Sequence, residues 1–83
     1  MSVRSTIESV FEQVALEQQR KLAPLSAELK LLQSGLDSLG FALIVARLED
    51  LLGHDPFESV QTFPVTFGEF IKLYEDRPQN PQP

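Results

Sequence analysis

Apolar residues recur at helical spacing in three stretches of the chain. The first stretch places them at i, i+3, i+4 and i+7, as Ile7, Val10, Phe11 and Val14. Ser5 and Glu8 form the pattern of a capping box, in which each side chain accepts a hydrogen bond from the other residue's backbone N–H. We therefore predict an amphipathic helix over residues 5–20.

The second stretch begins with Gly35, Asp37 and Ser38 and continues as an apolar run that ends at Gly53. It predicts a helix over residues 40–52, with Ser38 at its N-terminus and Gly53 as a left-handed C-cap. The face expected to pack on the core comprises Ile44, Leu48, Leu51 and Leu52, with Phe41 at its edge. The other face comprises Leu39, Ala42, Val45, Ala46 and Glu49.

A helix that is apolar nearly all round is either buried on every side or presents an apolar strip to a partner. Full burial is difficult in a domain of 83 residues, because a small domain has little interior. We therefore expect partners to bind the second face, with Glu49 as a charge at its rim.

The third stretch, Thr66 to Glu69, is another capping box and predicts a helix that ends near Glu75. This helix should bury Phe67, Phe70, Ile71 and Tyr74. Residues 58–61 could form one further helical turn, with Phe57, Val60 and Phe63 fixing that segment to the core.

Residues 22–36 are harder to interpret, because Pro24 prevents continuation of the first helix. The segment holds six leucines, at positions 22, 25, 29, 31, 32 and 36, so a solvated linker is excluded. We expect a loop that wraps across the core and is held by these leucines. Ser26 could cap a short helical turn that ends at Ser34 and Gly35.

Composition excludes several classes of site. The chain has no cysteine and one histidine, so neither a disulfide framework nor a metal cluster is expected, and His54 is interpreted as a polar loop residue. The net charge of −5 argues against nucleic acid, because neutralising phosphates requires clustered Lys and Arg. No arrangement of nucleophile and base and no glycine-rich phosphate loop is present, so catalysis is not expected.

The apolar runs are shorter than the roughly 20 residues that span a bilayer. We expect a soluble cytoplasmic monomer that does not bind membranes. One domain should occupy residues 1–76. Residues 77–83 contain three prolines and no apolar residue, which is typical of a disordered tail.

Most of the negative charge lies around the central helix. Residues 37–58 contain Asp37, Glu49, Asp50, Asp55 and Glu58 against a single cation, Arg47, and so carry −4. This field could steer a basic partner towards the helix, or it could simply keep the surface soluble.

Ser38 is the candidate for chemistry. The first N–H groups of a helix lack intrahelical partners and carry partial positive charge, so a phosphate on Ser38 would be stabilised beside the N–H groups of residues 39–41. The alternative is that Ser38 is only an N-cap, which is common and stabilises a helix by about 1 kcal/mol.

The segment Gly35-Leu36-Asp37-Ser38-Leu39, followed by an apolar helix that ends Leu51-Leu52-Gly53, resembles the phosphopantetheine attachment site of acyl and peptidyl carrier proteins. The resemblance covers nearly the whole chain. It implies a small four-helix bundle of three main helices plus one short helix, with a long loop after the first helix. It also implies that Ser38 receives 4'-phosphopantetheine from coenzyme A through a Mg-dependent phosphopantetheinyl transferase. Asp37 matches the family's aspartate, which that enzyme recognises.

Fatty-acid-type carriers have acidic residues from the first turn of this helix, whereas here the acids begin at Glu49. The chain is therefore more similar to peptidyl or aminoacyl carriers. The resemblance implies a stand-alone, non-catalytic carrier. An adenylate-forming ligase would load it with an acyl or aminoacyl group, held as a thioester, and a downstream transferase or synthase would unload it. A small helical interaction module without a prosthetic group is the alternative.

Overall fold

The computed structural model describes residues 2–53, Pro56 and residues 63–75. Its elements are α1 (Val3–Glu17), a 3-10 helix η1 (Leu31–Gln33), α2 (Ser38–Leu52) and α3 (Phe67–Glu75). Within these ranges all regular structure is helical apart from one isolated bridge between Lys30 and Thr66, so the all-α class is confirmed. The turn predicted at 58–61, the anchors Phe57 and Val60, His54 and the tail lie outside the described residues.

Helix α1 begins earlier than the sequence predicts, and its cap is a different residue. Ser2 is the N-cap, and its hydroxyl oxygen accepts a hydrogen bond of 3.0 Å from the backbone N–H of Ser5. Glu8 does not close a capping box, because its carboxylate accepts a 3.0 Å hydrogen bond from Arg4 instead. The predicted box at Ser5 and Glu8 is therefore wrong, although the buried face of Ile7, Val10, Phe11 and Val14 is confirmed.

Helix α1 also ends earlier, at Glu17, in a Schellman motif. The backbone N–H of Arg20 donates to the carbonyl of Ala15 at 2.8 Å, and that of Gln19 donates to Leu16 at 3.1 Å. Gln19 occupies the left-handed region at φ 57°, which glycine usually fills. The chain consequently turns away before residue 20, the predicted end.

The leucine-rich segment between α1 and α2 packs on the core, as predicted for five of its six leucines. Leu31 and Leu36 are buried, and Leu22, Leu25 and Leu29 are half-buried against the core. Leu32 is 91% exposed, contrary to the prediction. Successive residues of a 3-10 helix point about 120° apart, so Leu31 and Leu32 cannot both face inward.

The short turn and its end also differ in part from the prediction. The backbone N–H of Leu29 donates to the carbonyl of Ser26, but the helical residues are only Leu31–Gln33. Ser34 ends them, and its buried hydroxyl donates to the carbonyl of Leu31 at 2.6 Å. Gly35 follows at φ 101°, and a Cβ there would collide with the backbone carbonyl of Lys21. Glycine is therefore required at the turn that leads into α2.

Helix α2 buries Gly40, Phe41, Ile44 and Leu48 and ends at Gly53, which is left-handed at φ 85° as predicted. The expected core face is wrong at its C-terminal end, where Leu51 is 62% exposed and Leu52 is half-buried. Leu51 lies on the same side of α2 as buried Ile44, two turns earlier, so the burial of this face decreases along the helix towards its C-terminal end.

Helix α3 and its capping box agree with the prediction. Thr66 Oγ1 accepts from the backbone N–H of Glu69 at 3.2 Å, and Glu69 Oε1 accepts from the backbone N–H of Thr66 at 3.4 Å. All four residues expected to be buried are buried. At the centre of the core, the ring of Phe11 packs edge-on against Phe41, Phe67 and Phe70, with centroids 5.0–6.3 Å apart.

None of the helices in the described ranges has the length and apolarity needed to cross a bilayer.

Candidate functional site

The N-terminus of α2 is capped by Asp37, and Ser38 is the first helical residue. Asp37 has extended backbone geometry, and its Oδ1 accepts a hydrogen bond of 2.9 Å from the backbone N–H of Gly40. Its carbonyl accepts from the backbone N–H of Phe41 at 3.0 Å. The interpretation of Ser38 as a simple N-cap is therefore wrong, because Asp37 holds that position.

The Ser38 hydroxyl is exposed and makes no hydrogen bond with any residue that the structure describes. A cap residue would have its side-chain oxygen bound to a first-turn N–H, and Ser38 makes no such bond. Ser38 thus presents a free hydroxyl at the end of the helix where the macrodipole is positive. Nearby Ser34 is buried, so it cannot compete as an accessible nucleophile.

The N–H groups beside Ser38 are fewer than the sequence predicts. Of the three expected to face an anion, those of Gly40 and Phe41 are already bound to Asp37. Only Leu39 keeps its N–H outside the bonds that the described residues make. Together with the N–H of Ser38 itself, the helix N-terminus can therefore contribute its dipole and two N–H groups to a bound anion.

Asp37 is also held from the other side by Arg20. Arg20 Nη2 lies 2.9 Å from Asp37 Oδ2, and both side chains are a little under half exposed. The two carboxylate oxygens of Asp37 thus have separate partners, the helix backbone and the end of α1. Sequence reasoning missed Arg20, because 17 residues separate it from Asp37.

Gly40 allows the end of α1 to approach α2 closely. A Cβ on Gly40 would lie 3.0 Å from Gln18 Oε1 and 3.4 Å from the Cβ of Leu36. A side chain at this position would therefore crowd the end of the Gln18 side chain, which would have to shift by a few tenths of an ångström. Glycine in this first turn serves close packing beside the candidate site.

An apolar groove runs from Ser38 along the exposed face of α2. Glu49, at the far end, is eleven helical steps after Ser38, which corresponds to about 16 Å. The groove has a volume of about 960 Å³. We call this the α2 groove; its lining is Lys30, Leu31, Leu32, Gln33, Ser38, Phe41, Ala42, Val45, Ala46, Glu49, Phe63, Pro64 and Val65.

The structure brings together most of the residues predicted for a partner face. Ala42, Val45, Ala46 and Glu49 all line the α2 groove, and Leu39 is 61% exposed beside Ser38. The prediction missed the opposite wall, where Leu32, Phe63 and Val65 are 91%, 46% and 60% exposed. The adjacent leucines 31 and 32 are the sequence signal that could have revealed this wall, because two successive residues of a short helical turn cannot both face the core.

The opposite wall is held together by backbone hydrogen bonds between two distant segments. Leu31 N–H donates to Val65 and Phe67 N–H donates to Leu29, both at 2.8 Å. Gly68 N–H donates to Ala27 at 3.0 Å. These bonds fix η1 against the start of α3, so the apolar side chains of this wall are displayed from ordered backbone.

A second exposed ion pair joins α1 to α2. The guanidinium of Arg47 binds both oxygens of Glu17, with distances of 2.5 and 3.0 Å. Hydrogen bonding to Arg47 holds the pKa of the Glu17 carboxyl below its usual value, and the same contact raises the pKa of Arg47. In the part of the chain that the structure describes, no group of three or more His, Cys, Asp or Glu side chains could hold a metal ion.

Comparison with protein-family models gave no match, and comparisons with curated proteins and with solved structures gave no significant match. A functional assignment therefore depends on the residues and the geometry of this chain.

Proposed function

We propose that the protein is a carrier that bears 4'-phosphopantetheine on Ser38 and shuttles an acyl or aminoacyl group between enzymes. The observation that carries the proposal is the free, exposed Ser38 hydroxyl at the first position of α2. A structural serine at a helix start would normally be the cap, but here Asp37 has that role. The position is built to leave the hydroxyl available.

The residues around Ser38 suit a phosphodiester. In the transfer, Ser38 Oγ forms a bond to the phosphorus attached to pantetheine while the pyrophosphate linkage of coenzyme A breaks. The hydroxyl proton leaves to a base, and adenosine 3',5'-bisphosphate is released. Leu39 N–H and the helix dipole lie beside the new anion, and at an exposed site such a dipole stabilises an anion by about 0.3–1 kcal/mol. When attached, the group supplies a thiol for thioester formation, so the absence of cysteine from the chain is compatible with this function.

The fold proposed with this function is a four-helix bundle. Helices α1, α2 and α3 would be its main helices, and one short helix would lie between α2 and α3. The long connection after α1 would carry the opposite wall of the α2 groove. The protein would be cytoplasmic and monomeric, and its partners would be a phosphopantetheinyl transferase, an adenylate-forming ligase and a downstream transferase or synthase.

The α2 groove supports enzyme docking next to Ser38. Exposed apolar surface from three segments lies near the attachment point, and among the described lining residues the charged ones are Lys30 and Glu49. An enzyme that handles an arm on Ser38 would contact this surface first. Because the acidic residues of α2 begin only at Glu49, which is more similar to peptidyl and aminoacyl carriers than to fatty-acid-type carriers, we propose an aminoacyl or small acyl cargo in preference to a long chain.

The same groove supports the alternative of a helical interaction module without a prosthetic group, since exposed apolar patches also mark ordinary protein interfaces. The two functions differ in one measurement, the covalent attachment of the coenzyme A-derived arm.

The test is intact-protein mass spectrometry after incubation with coenzyme A, magnesium and a broad-specificity phosphopantetheinyl transferase. One phosphopantetheine should appear on the wild type and none on Ser38→Ala. Ser9→Ala is the matched control, because Ser9 is an exposed serine on α1 away from the site, and it should be modified like the wild type. An unmodified wild type with several transferases would favour the interaction module.

A second measurement addresses the cargo. The modified protein is offered in parallel to adenylate-forming amino acid ligases and to long-chain acyl transfer enzymes. We expect aminoacylation or short-chain acylation. Efficient long-chain acylation without aminoacylation would contradict the proposed cargo while leaving the carrier function intact.

A further inference from the structure

We propose that Arg20 is a positioning residue for Ser38: by pairing with Asp37, it selects the helix cap that leaves the Ser38 hydroxyl free. The inference rests on the carrier function proposed above, but its structural part can be tested on unmodified protein. It follows from the competition between two adjacent capping residues.

Asp37 and Ser38 have similar intrinsic preferences for the N-cap position. If Ser38 were the cap, its hydroxyl would accept a hydrogen bond from a backbone N–H two or three residues later, and it would be engaged. With Asp37 as the cap, Gly40 N–H binds Asp37 Oδ1 and the hydroxyl stays exposed. The intrinsic capping preferences therefore do not decide whether Asp37 or Ser38 is the N-cap of α2.

The contact that distinguishes the two possible cap residues comes from Arg20, in the turn just after α1. Arg20 Nη2 donates to Asp37 Oδ2 at 2.9 Å while Oδ1 holds Gly40, so one carboxylate serves both partners. A serine hydroxyl carries no charge and has no second oxygen, so Ser38 as the cap could not bind Arg20 and the helix backbone together. The ion pair holds the Asp37 carboxylate where its other oxygen accepts from Gly40, and it thereby favours the helix start that leaves the Ser38 hydroxyl free.

The backbone directs Arg20 towards α2 at a local conformational cost. Gln19 adopts the left-handed conformation at φ 57°, which is unfavourable for a residue with a side chain. This turn allows Arg20 N–H to reach Ala15 and places residue 20 just beyond the end of α1. Gln18, the C-cap, simultaneously packs against Gly40. The end of α1 thus contacts the first turn of α2 at two points.

The first test measures hydrogen exchange of the Gly40 amide by NMR in Arg20→Ala and in wild type. Exposed ion pairs have small effects, so we expect exchange to become up to about fivefold faster. Arg20→Lys, which keeps the charge, should fall between the two. Arg4→Ala is the matched control, because it removes a similar exposed ion pair within α1, and it should leave Gly40 unchanged. Unchanged exchange in Arg20→Ala would overturn the proposal.

A double-mutant cycle shows whether Arg20 acts through Asp37. Asn remains a good cap but lacks the charge, so Arg20→Ala should have little effect on Gly40 exchange in an Asp37→Asn background. An equal effect in both backgrounds would mean that Arg20 stabilises the turn by another route and would refute the role of the pair.

The functional test compares the initial rates of phosphopantetheinylation. Arg20→Ala should be modified more slowly than wild type and Arg4→Ala should not, with the loss matching the change in Gly40 exchange. A slower rate with unchanged exchange would indicate direct contact between Arg20 and the transferase, and faster exchange with an unchanged rate would show that the cap does not control Ser38. Both results would overturn the inference.

A wild type that no transferase modifies would instead remove the carrier function, while the exchange data would still report whether Asp37 or Ser38 caps α2.

Discussion

At the scale of single residues, the adjacent residues Asp37 and Ser38 have different roles at the start of α2. The carboxylate satisfies the helix backbone and binds Arg20, and the hydroxyl is left without a partner in the described part of the chain. The pair therefore combines a stable helix start with an accessible hydroxyl. Because the two residues have similar capping preferences, the sequence alone does not show which of them caps α2 and which remains free.

Because Asp37 and Ser38 have different roles, their substitution by alanine should change the free energy of unfolding by different amounts. Asp37→Ala removes the cap and should lower the free energy of unfolding by about 1 kcal/mol, within a range of about 0.5–2. Ser38→Ala should change it by at most a few tenths, because its hydroxyl makes no bond. Urea denaturation of both variants provides the measurement, and an equal loss in the two would mean that Ser38 shares the cap.

The ion pair between Glu17 and Arg47 predicts a pH dependence. Because Arg47 depresses the pKa of Glu17 in the folded state, the pair contributes stability at pH values above the ordinary glutamate pKa. That contribution is lost as the pH falls through the depressed folded pKa. The difference in unfolding free energy between wild type and Glu17→Gln should therefore be larger at neutral pH than in acid.

Denaturation of the two proteins across an acidic pH series tests this dependence. Arg47→Gln should reproduce the loss, and NMR titration should place the Glu17 pKa of that variant higher than in wild type. A Glu17 pKa that does not change on removal of Arg47 would show that the pair is not formed in solution.

At the scale of secondary-structure elements, α2 has two faces with different roles. One face packs Phe41, Ile44 and Leu48 into the core, and the other lines the α2 groove with small side chains. Ala42 and Ala46 are exposed, so their substitution tests the surface without disturbing the interior.

We predict that Ala46→Asp leaves the fold intact and prevents enzymes from using the protein. An aspartate buried in an apolar contact would lose its hydration without gaining a partner, which costs several kcal/mol. Transfer of the arm or cargo should therefore fall by at least about 100-fold. Circular dichroism checks the fold, and kcat/KM with the transferase checks function.

Leu51→Asp is the matched control for this prediction. Leu51 lies on the same helix, is 62% exposed and does not line the α2 groove. The variant carries the same new charge and should be used almost like wild type. If Ala46→Asp is also used normally, partners bind elsewhere.

At the scale of the whole molecule, aromatic packing around Phe11 joins the three helices. Its ring contacts Phe41 on α2 and both Phe67 and Phe70 on α3. The site depends on this core, because α2 and the opposite wall of the α2 groove both rest on it. A chain of 83 residues has a limited reserve of stability, of the order of 4–12 kcal/mol.

Phe11→Ala should therefore be severely destabilising. Truncation of a fully buried phenylalanine typically costs about 3–5 kcal/mol, a large fraction of that reserve. Phe11→Leu retains most of the volume and should cost about half as much or less. Thermal unfolding followed by circular dichroism distinguishes them, and equal melting temperatures for Phe11→Ala and wild type would contradict a central role for Phe11.

The sequence by itself determined the elements whose signals are local. Periodicity identified the buried faces of α1 and α3, the box at Thr66 and Glu69 identified the start of α3, and Gly53 identified the end of α2. Each of these signals acts between residues a few positions apart, so helix geometry alone translates it into structure.

Only the tertiary structure decided which of several locally equivalent choices is used. Ser2 rather than Ser5 caps α1, and Asp37 rather than Ser38 caps α2. Leu32 rather than Leu31 is the exposed leucine of η1. In each case the two residues have similar local preferences. The α2 groove needs η1 and residues 63–65 side by side, and the free hydroxyl of Ser38 accompanies a contact from Arg20, 17 residues before Asp37. Contacts between residues that are distant in sequence leave no periodic pattern, and for that reason the position of Ser38 was predictable from the sequence but its freedom from bonding was not.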